Sequence, residues 1–463
     1  MPQALTDGMP MPQRIWAVVT IVLALSLAVL DSSIANVALP TIARDLNASP
    51  ATSIWVVNAY QLAITISLLP LAALGDIVGY RRIYRVGLAL FTLASLACAL
   101  SDSLATLTLA RVAQGFGAAG IMSVNTALVR NIYPSRLLGR GVALNALVVA
   151  ISSAAGPTIA AGVLAVAHWP WLFAINVPIG LIAFAIAMRA LPDSARSPHP
   201  FDWIGAILSA LTFGLMISGI DAFGHGQSGA MIAAELGLAV LIGFVFVRRQ
   251  LSQPVPLLPV DLLRIPIFAL SICTSIASFA AQMLAFVCLP FFLQETLGFD
   301  HVQTGLLMTA WPLTIVVVAP LSGRLVEHYK PGLLGAIGLA AFAAGLTALA
   351  MLPAQPASFD IIWRMALCGA GFGLFQSPNN YAMLSSAPRH RSGGASGMLG
   401  TARLTGQTTG AALVALIFGI APHMDGTRIA LFAAAAFAAV AAIVSSLRTM
   451  PNTVTEPHAD SGH

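Results

Sequence analysis

Asp31 and Arg111 are ionisable residues set in long apolar stretches, where only proton or ion-pair chemistry would repay their presence. A carboxylate near the centre of a membrane-spanning helix costs ~2.5–3.5 kcal/mol on insertion scales. Desolvation raises its pKa, which suits a group that takes up and releases a proton. Asp31 stands eight residues before Leu39, and Arg111 about eight residues into its own stretch. At 1.5 Å per residue on antiparallel helices, both lie about 12 Å from the same membrane face. A guanidinium beside the carboxyl lowers its pKa, and a movement that separates the two raises it again, so protonation can be coupled to conformational change. The competing readings are an interfacial Asp hydrated at the outer mouth, a static buried pair, and an Arg that snorkels to the interface.

Arg403 lies deeper in a later apolar stretch, where it suits an anionic substrate group or an acid, yet no acid is obvious deep within the last six stretches. Arg364 is shallower and reads as an interfacial residue, as do Asp221 and Glu235. Asn58 and Gln61 share a helix face at i, i+3 spacing, and Phe279, Gln282 and Phe286 share another, with Trp311 on the following stretch. Apolar and aromatic surface with few polar groups suits a pocket for a bulky amphipathic compound. Ordinary helix packing is the competing reading. Asp76, Arg81 and Arg82 form a short acid–base turn of the kind that latches neighbouring helices; as free loop charges they would contribute under ~1 kcal/mol. No metal or cofactor site is indicated: Cys98, Cys273, Cys288 and Cys368 have no CxxC spacing, and the histidines are scattered over loops. The glycines of 115–120 and 369–373 lack the Lys-Ser/Thr of a phosphate loop and read as close-packing surfaces.

The elements that must hold these residues follow from composition. Apolar residues make up 58% of the chain and charged residues 8%, far from the roughly 25% charged residues of a soluble domain. The mean hydropathy is +0.87. The bilayer must therefore be the solvent for most of the surface. Fourteen stretches of spanning length appear, near 15–39, 52–74, 83–101, 104–128, 138–166, 171–190, 203–223, 229–247, 266–293, 302–323, 332–352, 358–384, 393–421 and 427–447. Alternate gaps collect nearly all the basic residues, including Arg81, Arg82, Arg85, Arg130, Arg248, Arg249 and Arg324; the opposite gaps hold only Arg44 and Arg428. By the positive-inside rule both termini are cytoplasmic. The net charge of +5 is dispersed over short loops, so nucleic acid is not an expected partner.

Internal similarity divides the chain. Residues 74–82 and 323–330 are turns carrying an acid and bases, and Arg111 and Arg364 each precede a glycine run. The expected organisation is a cytoplasmic segment 1–14, a six-helix bundle 15–190, a linker with two inserted helices 191–265, a second six-helix bundle 266–448 and a disordered cytoplasmic tail 449–463. Repeated halves place a binding site at their interface.

Several motifs carry a family resemblance. Gly75-Asp76-Ile77-Val78-Gly79-Tyr80-Arg81-Arg82 resembles the loop 2–3 motif of the major facilitator superfamily, with Ala72, Ile77 and Tyr80 departing from it. Arg111, Gln114, Gly115 and Gly117 look like its fourth-span motif. Leu30 to Pro40 is similar to the first span of the 14-span drug:proton antiporter branch, and Pro256 to Arg264 resembles that branch's loop before span nine. The fifth-span antiporter motif is degraded: Gly156-Pro157 stands, while Ser152, Ala160 and Ala161 replace glycines. The resemblance implies an all-α fold of two six-helix bundles plus two inserted helices, and a multidrug efflux transporter rather than an enzyme. It implies proton coupling through Asp31 and Arg111, and gating through Gly75, Asp76, Gly79, Arg81, Arg82, Gly115, Gly156, Pro157 and Arg403. The expected energy source is the proton gradient, and the expected partners are a small-molecule substrate, protons and lipid, with the chain a monomer. The Ala-rich, nearly Lys-free composition suggests the inner membrane of a bacterium with a GC-biased genome. The alternatives are a proton-coupled importer or metabolite exporter on the same fold, and a membrane receptor or enzyme.

Overall fold

A computed structural model describes residues 8–448 apart from 195, 197–199, 225–227, 254–255, 327, 389–391 and 422–423. The tail 449–463 and half of the segment 1–14 therefore lie outside the described residues. Fourteen helical rods follow in order: α1 Gln13–Asp45, α2 Pro50–Val78, α3 Tyr80–Ala99, α4 Leu104–Ile132, α5 Leu138–Val166, α6 Trp171–Ala190, α7 Trp203–Gly224 and α8 Gly229–Ser252. The second group is α9 Pro266–Thr296, α10 His301–Leu325, α11 Pro331–Ala350, α12 Ser358–Ser386, α13 Ser392–Ile420 and α14 Met424–Leu447. Thirteen are long and apolar enough to cross a membrane. The other, α13, has the length, but Arg403, Gln407 and its glycines and threonines dilute its apolar character.

The rods are continuous because the stretches are rich in Ala and Leu, and breaks occur where local chemistry offers an alternative. Ile54 separates a first turn of α2, capped by the Ser49 side chain, from the rest. Thr309 interrupts α10, and α9 ends in a π turn over Phe292–Thr296. Proline inside a helix leaves the carbonyl four residues earlier without its amide partner. Two such carbonyls find hydroxyls on other helices: Ser33 Oγ donates to Ser153 O below Pro157 at 3.4 Å, and Ser322 Oγ donates to Leu374 O below Pro378 at 2.9 Å.

The two groups of six repeat one packing pattern. α4 packs on α2 and α3 as α12 packs on α10 and α11, and α1 meets α5 and α6 as α9 meets α13 and α14. Glycines let the backbones approach in the same way in each half. A Cβ at Gly117 would strike the backbone nitrogen of Phe91, and one at Gly371 that of Phe342. One at Gly115 would lie 2.6 Å from Tyr60 O, and one at Gly369 would collide with Trp311 O. α7 and α8 pack on each other, with α7 also against α2 and α13.

The halves meet through α1 with α9, α2 with α13, and α5 with α10. At the face opposite the arginine-rich turns they share one apolar core, which joins Ile34, Leu39 and Phe173 to Leu284, Phe291 and Leu307. Hydrogen bonds cross there from Thr158 to Thr309 at 2.7 Å and from His301 Nε2 to Leu164 O at 3.0 Å. At the arginine-rich face the cores are separate. One gathers Ala17, Ile21, Tyr84 and Ile132, and the other Phe268, Ile272, Met383 and Ala395. The halves thus share one core at one face, while at the other their cores are separate and α2 meets α13.

Candidate functional site

The first half encloses a polar network built from five helices. Arg111 of α4 forms an ion pair with Asp31 of α1 through Nη1 and Oδ2; the two side chains are 0% and 1% exposed. The same Nη1 donates to Gln114 Oε1 at 2.6 Å, and Arg111 Nε donates to Val56 O of α2 at 2.9 Å. Gln114 Nε2 donates to Asp31 Oδ1 at 2.8 Å and to Ser95 Oγ of α3 at 2.8 Å, and Asn176 Nδ2 of α6 donates to Asp31 Oδ1 at 2.8 Å. The guanidinium lies 4.1 Å above the Tyr60 ring, whose hydroxyl donates to Ala28 O at 3.0 Å. Both carboxylate oxygens are therefore occupied, which is what a buried charge requires. Arg111 Nη2 remains buried without a partner.

The expected juxtaposition of Asp31 and Arg111 places them inside the first bundle. Gln114 and Asn176 complete the site. Gln114 had a legible signal, being three residues from Arg111 on one helical face. Asn176 had only that of a lone amide in an apolar stretch.

The repeat is shifted by one residue from the sequence pairing of Arg111 with Arg364. Matching Gly115 and Gly117 to Gly369 and Gly371 by their contacts puts Met365, fully buried, in the place of Arg111, and Cys368 in that of Gln114. Arg364 instead pairs with Asp360 one turn away at 3.0 Å. The second half has no equivalent ion pair among the described residues.

The pocket candidates separate by burial. Trp311 and Phe279 belong to a chain of edge-to-face rings, Phe286–Trp311–Phe342–Phe372–Phe279, with centroids 5.2–5.6 Å apart, and Trp311 is 0% exposed. In this conformation they form packed core rather than open wall. Phe286 and Gln282 are only partly buried. Gln61 Nε2 donates to Ser32 Oγ of α1 at 3.4 Å, while Asn58 is buried with neither side-chain atom bonded.

At the arginine-rich turn, Gly79 has φ +103°, a conformation that favours glycine and lets α2 reverse into α3. Asp76 accepts from Tyr80 Oη at 2.6 Å, and Arg81 pairs with Asp193 after α6 at 3.2 Å. The acid and bases of the turn are therefore not joined to each other here; Arg82 is exposed. A Cβ on Gly156 would strike the Ser33 side chain, and a Cβ on Gly305 would lie 2.6 Å from Pro157 O, so these positions set the approach of α5 to α1 and α10. Arg403 is partly buried with no bonded partner among the described residues, and its Nε is inaccessible. Glu235 is partly buried, whereas the side chain of Asp221 lies outside the described residues. No group of His, Cys, Asp and Glu suited to a metal occurs among the described residues.

The chain is 62% identical over 459 residues to the uncharacterized transporter YebQ of Escherichia coli (strain K12), covering 99% of each chain. It is 29% identical over 411 residues to the riboflavin transporter RibZ of Clostridioides difficile (strain 630), covering 88% of this chain and 89% of that one. It is 30% identical over 419 residues to the multidrug resistance protein Stp of Mycobacterium tuberculosis, covering 87% and 76%. Among solved structures, a POT family transporter in complex with 5-aminolevulinic acid matches with a TM-score of 0.73 at 14% identity, over 96% and 98% of the chains. A D-xylose-proton symporter matches with a TM-score of 0.67 at 13% identity, over 93% and 97%. The family model described as Major Facilitator Superfamily matches residues 21–411. Two six-helix bundles, so matched over most of their length, make this chain a transporter of the Major Facilitator Superfamily.

Proposed function

We propose that this transporter is a proton-coupled exporter of small hydrophobic or amphipathic compounds that works by alternating access. The observation that carries the reading is the Asp31 network. It places one ionisable carboxylate, sealed from solvent, where α1, α4 and α6 meet. Protonating Asp31 would remove the charge that holds Arg111 and loosen the contacts that fix α1 to α4 and α6. α1 also packs on α9 of the other half, so a shift of α1 is transmitted to the interface. Each proton moving down a 100 mV potential supplies about 2.3 kcal/mol, comparable with breaking a few buried hydrogen bonds. In this reading the arginine-rich face, with both termini, is cytoplasmic, and the conformation is open inward in a bacterial inner membrane. The loop 2–3 turn then acts as a latch that engages when the other face opens.

The multidrug resistance protein among the relatives supports export of amphipathic compounds, and the first-span motif supports the drug:proton antiporter branch. The riboflavin transporter among the relatives favours a second reading, a metabolite carrier on the same scaffold. Everted membrane vesicles distinguish the two. Accumulation of a toxic-compound panel in the vesicles, driven by an inward-acid pH gradient and abolished when the gradient is collapsed, is the expected result. Gradient-driven loss from preloaded vesicles would establish import, and flux independent of the gradient would overturn proton coupling.

A further inference from the structure

Arg403 differs from every other partly or fully buried arginine among the described residues. Arg111 has Asp31, Arg249 has Asp202, Arg364 has Asp360, and Arg428 has Leu352 O. Even Arg448, which lacks an acid, donates to Asn379 Oδ1 at 2.6 Å and Ser271 Oγ at 2.9 Å. Arg403 has no hydrogen bond, ion pair or ring contact, and its Nε is buried. It stands eleven residues into α13, about 16 Å from the arginine-rich end of that helix. That depth is well inside the hydrocarbon, where an uncompensated charge is costly.

Its position on α13 says what would compensate it. One face of the helix meets α2 of the first half, through Leu404 and the Thr408–Thr65 hydrogen bond of 2.9 Å. Another face meets α9 of the second half, where a Cβ on Gly406 would lie 2.5 Å from Ile276 O and 2.9 Å from the Phe279 side chain. Arg403 and Gln407, one turn apart, form the stripe between those faces, away from the side that carries Thr401 and Thr405. The stripe therefore borders the contact that α13 makes with the first half. It offers a fixed cation, an amide and flanking apolar side chains.

We propose that Arg403 anchors an oxyanion of the transported compound, which makes the cargo an amphipathic organic anion such as a carboxylate. A planar guanidinium with free Nη groups matches a carboxylate through two parallel hydrogen bonds, a geometry that Lys cannot reproduce. This inference rests on the reading of the seam between the halves as the cargo path.

The test is equilibrium binding to the full chain in nanodiscs, without any gradient, using dansyl-leucine and 2-naphthoate against their methyl esters. Each acid is expected to bind about ten- to a hundredfold more tightly than its ester. Arg403→Gln should erase that preference and leave ester binding unchanged. Arg403→Lys, which keeps the charge, should retain only part of it. Equal affinity of acid and ester, absence of acid binding, or an unchanged preference in either variant overturns the proposal; where Arg403→Gln does not fold, Arg403→Lys decides. Because the readout needs no proton gradient, an anion preference without gradient-driven flux would sink the export reading and leave the anchor. Gradient-driven flux without an anion preference would do the reverse.

Discussion

Met365 occupies in the second bundle the place that Arg111 holds in the first. Both are fully buried, and both precede the glycine pair that brings the fourth helix of each bundle against its neighbours. Duplicated architecture with an unduplicated Asp31–Arg111 pair means that this ionisation acts on the first bundle. The second bundle is held instead by rings, Phe279, Trp311, Phe342 and Phe372, and by Arg448, whose burial lowers its guanidinium to about 10.

That asymmetry makes a double substitution informative. Arg111→Met alone leaves Asp31 buried without its counter-charge and is expected to cost ~3–5 kcal/mol, read as a lower unfolding temperature in detergent. Asp31→Leu with Arg111→Met removes both charges and should recover most of that loss, since apolar replacement of a buried pair is often neutral. Asp31→Asn should remain in the membrane and lose proton-driven flux. Unimpaired gradient-driven transport by Asp31→Asn would remove the carboxylate from the mechanism.

The spans, the bundle repeat and the pairing of Asp31 with Arg111 were legible because each depends on one-dimensional quantities: apolar length, charge alternation and depth along a helix. What needed coordinates was rotation about the helix axis. Asn176 reaches Asp31 from a different helix, 145 residues away. An aromatic on an apolar helix reads alike whether it faces a cavity or a core, so Trp311 could not be placed from sequence. The one-residue shift between Arg364 and Met365 was hidden because both halves put an Arg before glycines. Asp76 is followed by Tyr80, Arg81 and Arg82 within six residues, and only geometry selects Tyr80.

Glycine positions separate packing from propensity. Gly117→Ala or Gly371→Ala would press a methyl into the backbone of Phe91 or Phe342 and should destabilise by ~1–3 kcal/mol. Gly162 has nothing within 4 Å of an added Cβ, so Gly162→Ala should stabilise by up to ~1 kcal/mol through helix propensity. Apparent unfolding temperatures of the three variants should fall on opposite sides of the parent; a common direction would refute the packing assignment.

The turn before α7 offers a pH readout outside the spans. Burial alone would raise the Asp202 carboxyl, but donors from Arg249, the Gly205 amide and Gln250 outweigh it and hold the group below its ordinary range. A depressed folded pKa contributes stability that is complete above the ordinary carboxylate value, about 3.9, and is lost as pH falls through the folded value. The stability difference between the parent and Asp202→Asn should therefore be constant from pH 7 to about 5 and shrink as the pH falls below the ordinary carboxylate value of about 3.9. A difference that grows on acidification would contradict this ion pair.

Alternating access requires the face with the shared core to open in every cycle. Thr158 and Thr309 approach to 2.7 Å between hydroxyls across the halves, so Thr158→Cys with Thr309→Cys places two thiols within bonding reach. Cys98, Cys288 and Cys368 are buried, and replacing exposed Cys273 by Ser leaves the new pair as the accessible thiols. Oxidation should tie α5 to α10, stop turnover and preserve binding from the arginine-rich face, and reduction should restore transport. The pair lies outside the Asp31 network, so arrest would not follow from damage to the ionisable site. Full turnover by the oxidised protein would mean that compounds pass without separation of these helices, and the rocking of the two bundles would have to be abandoned.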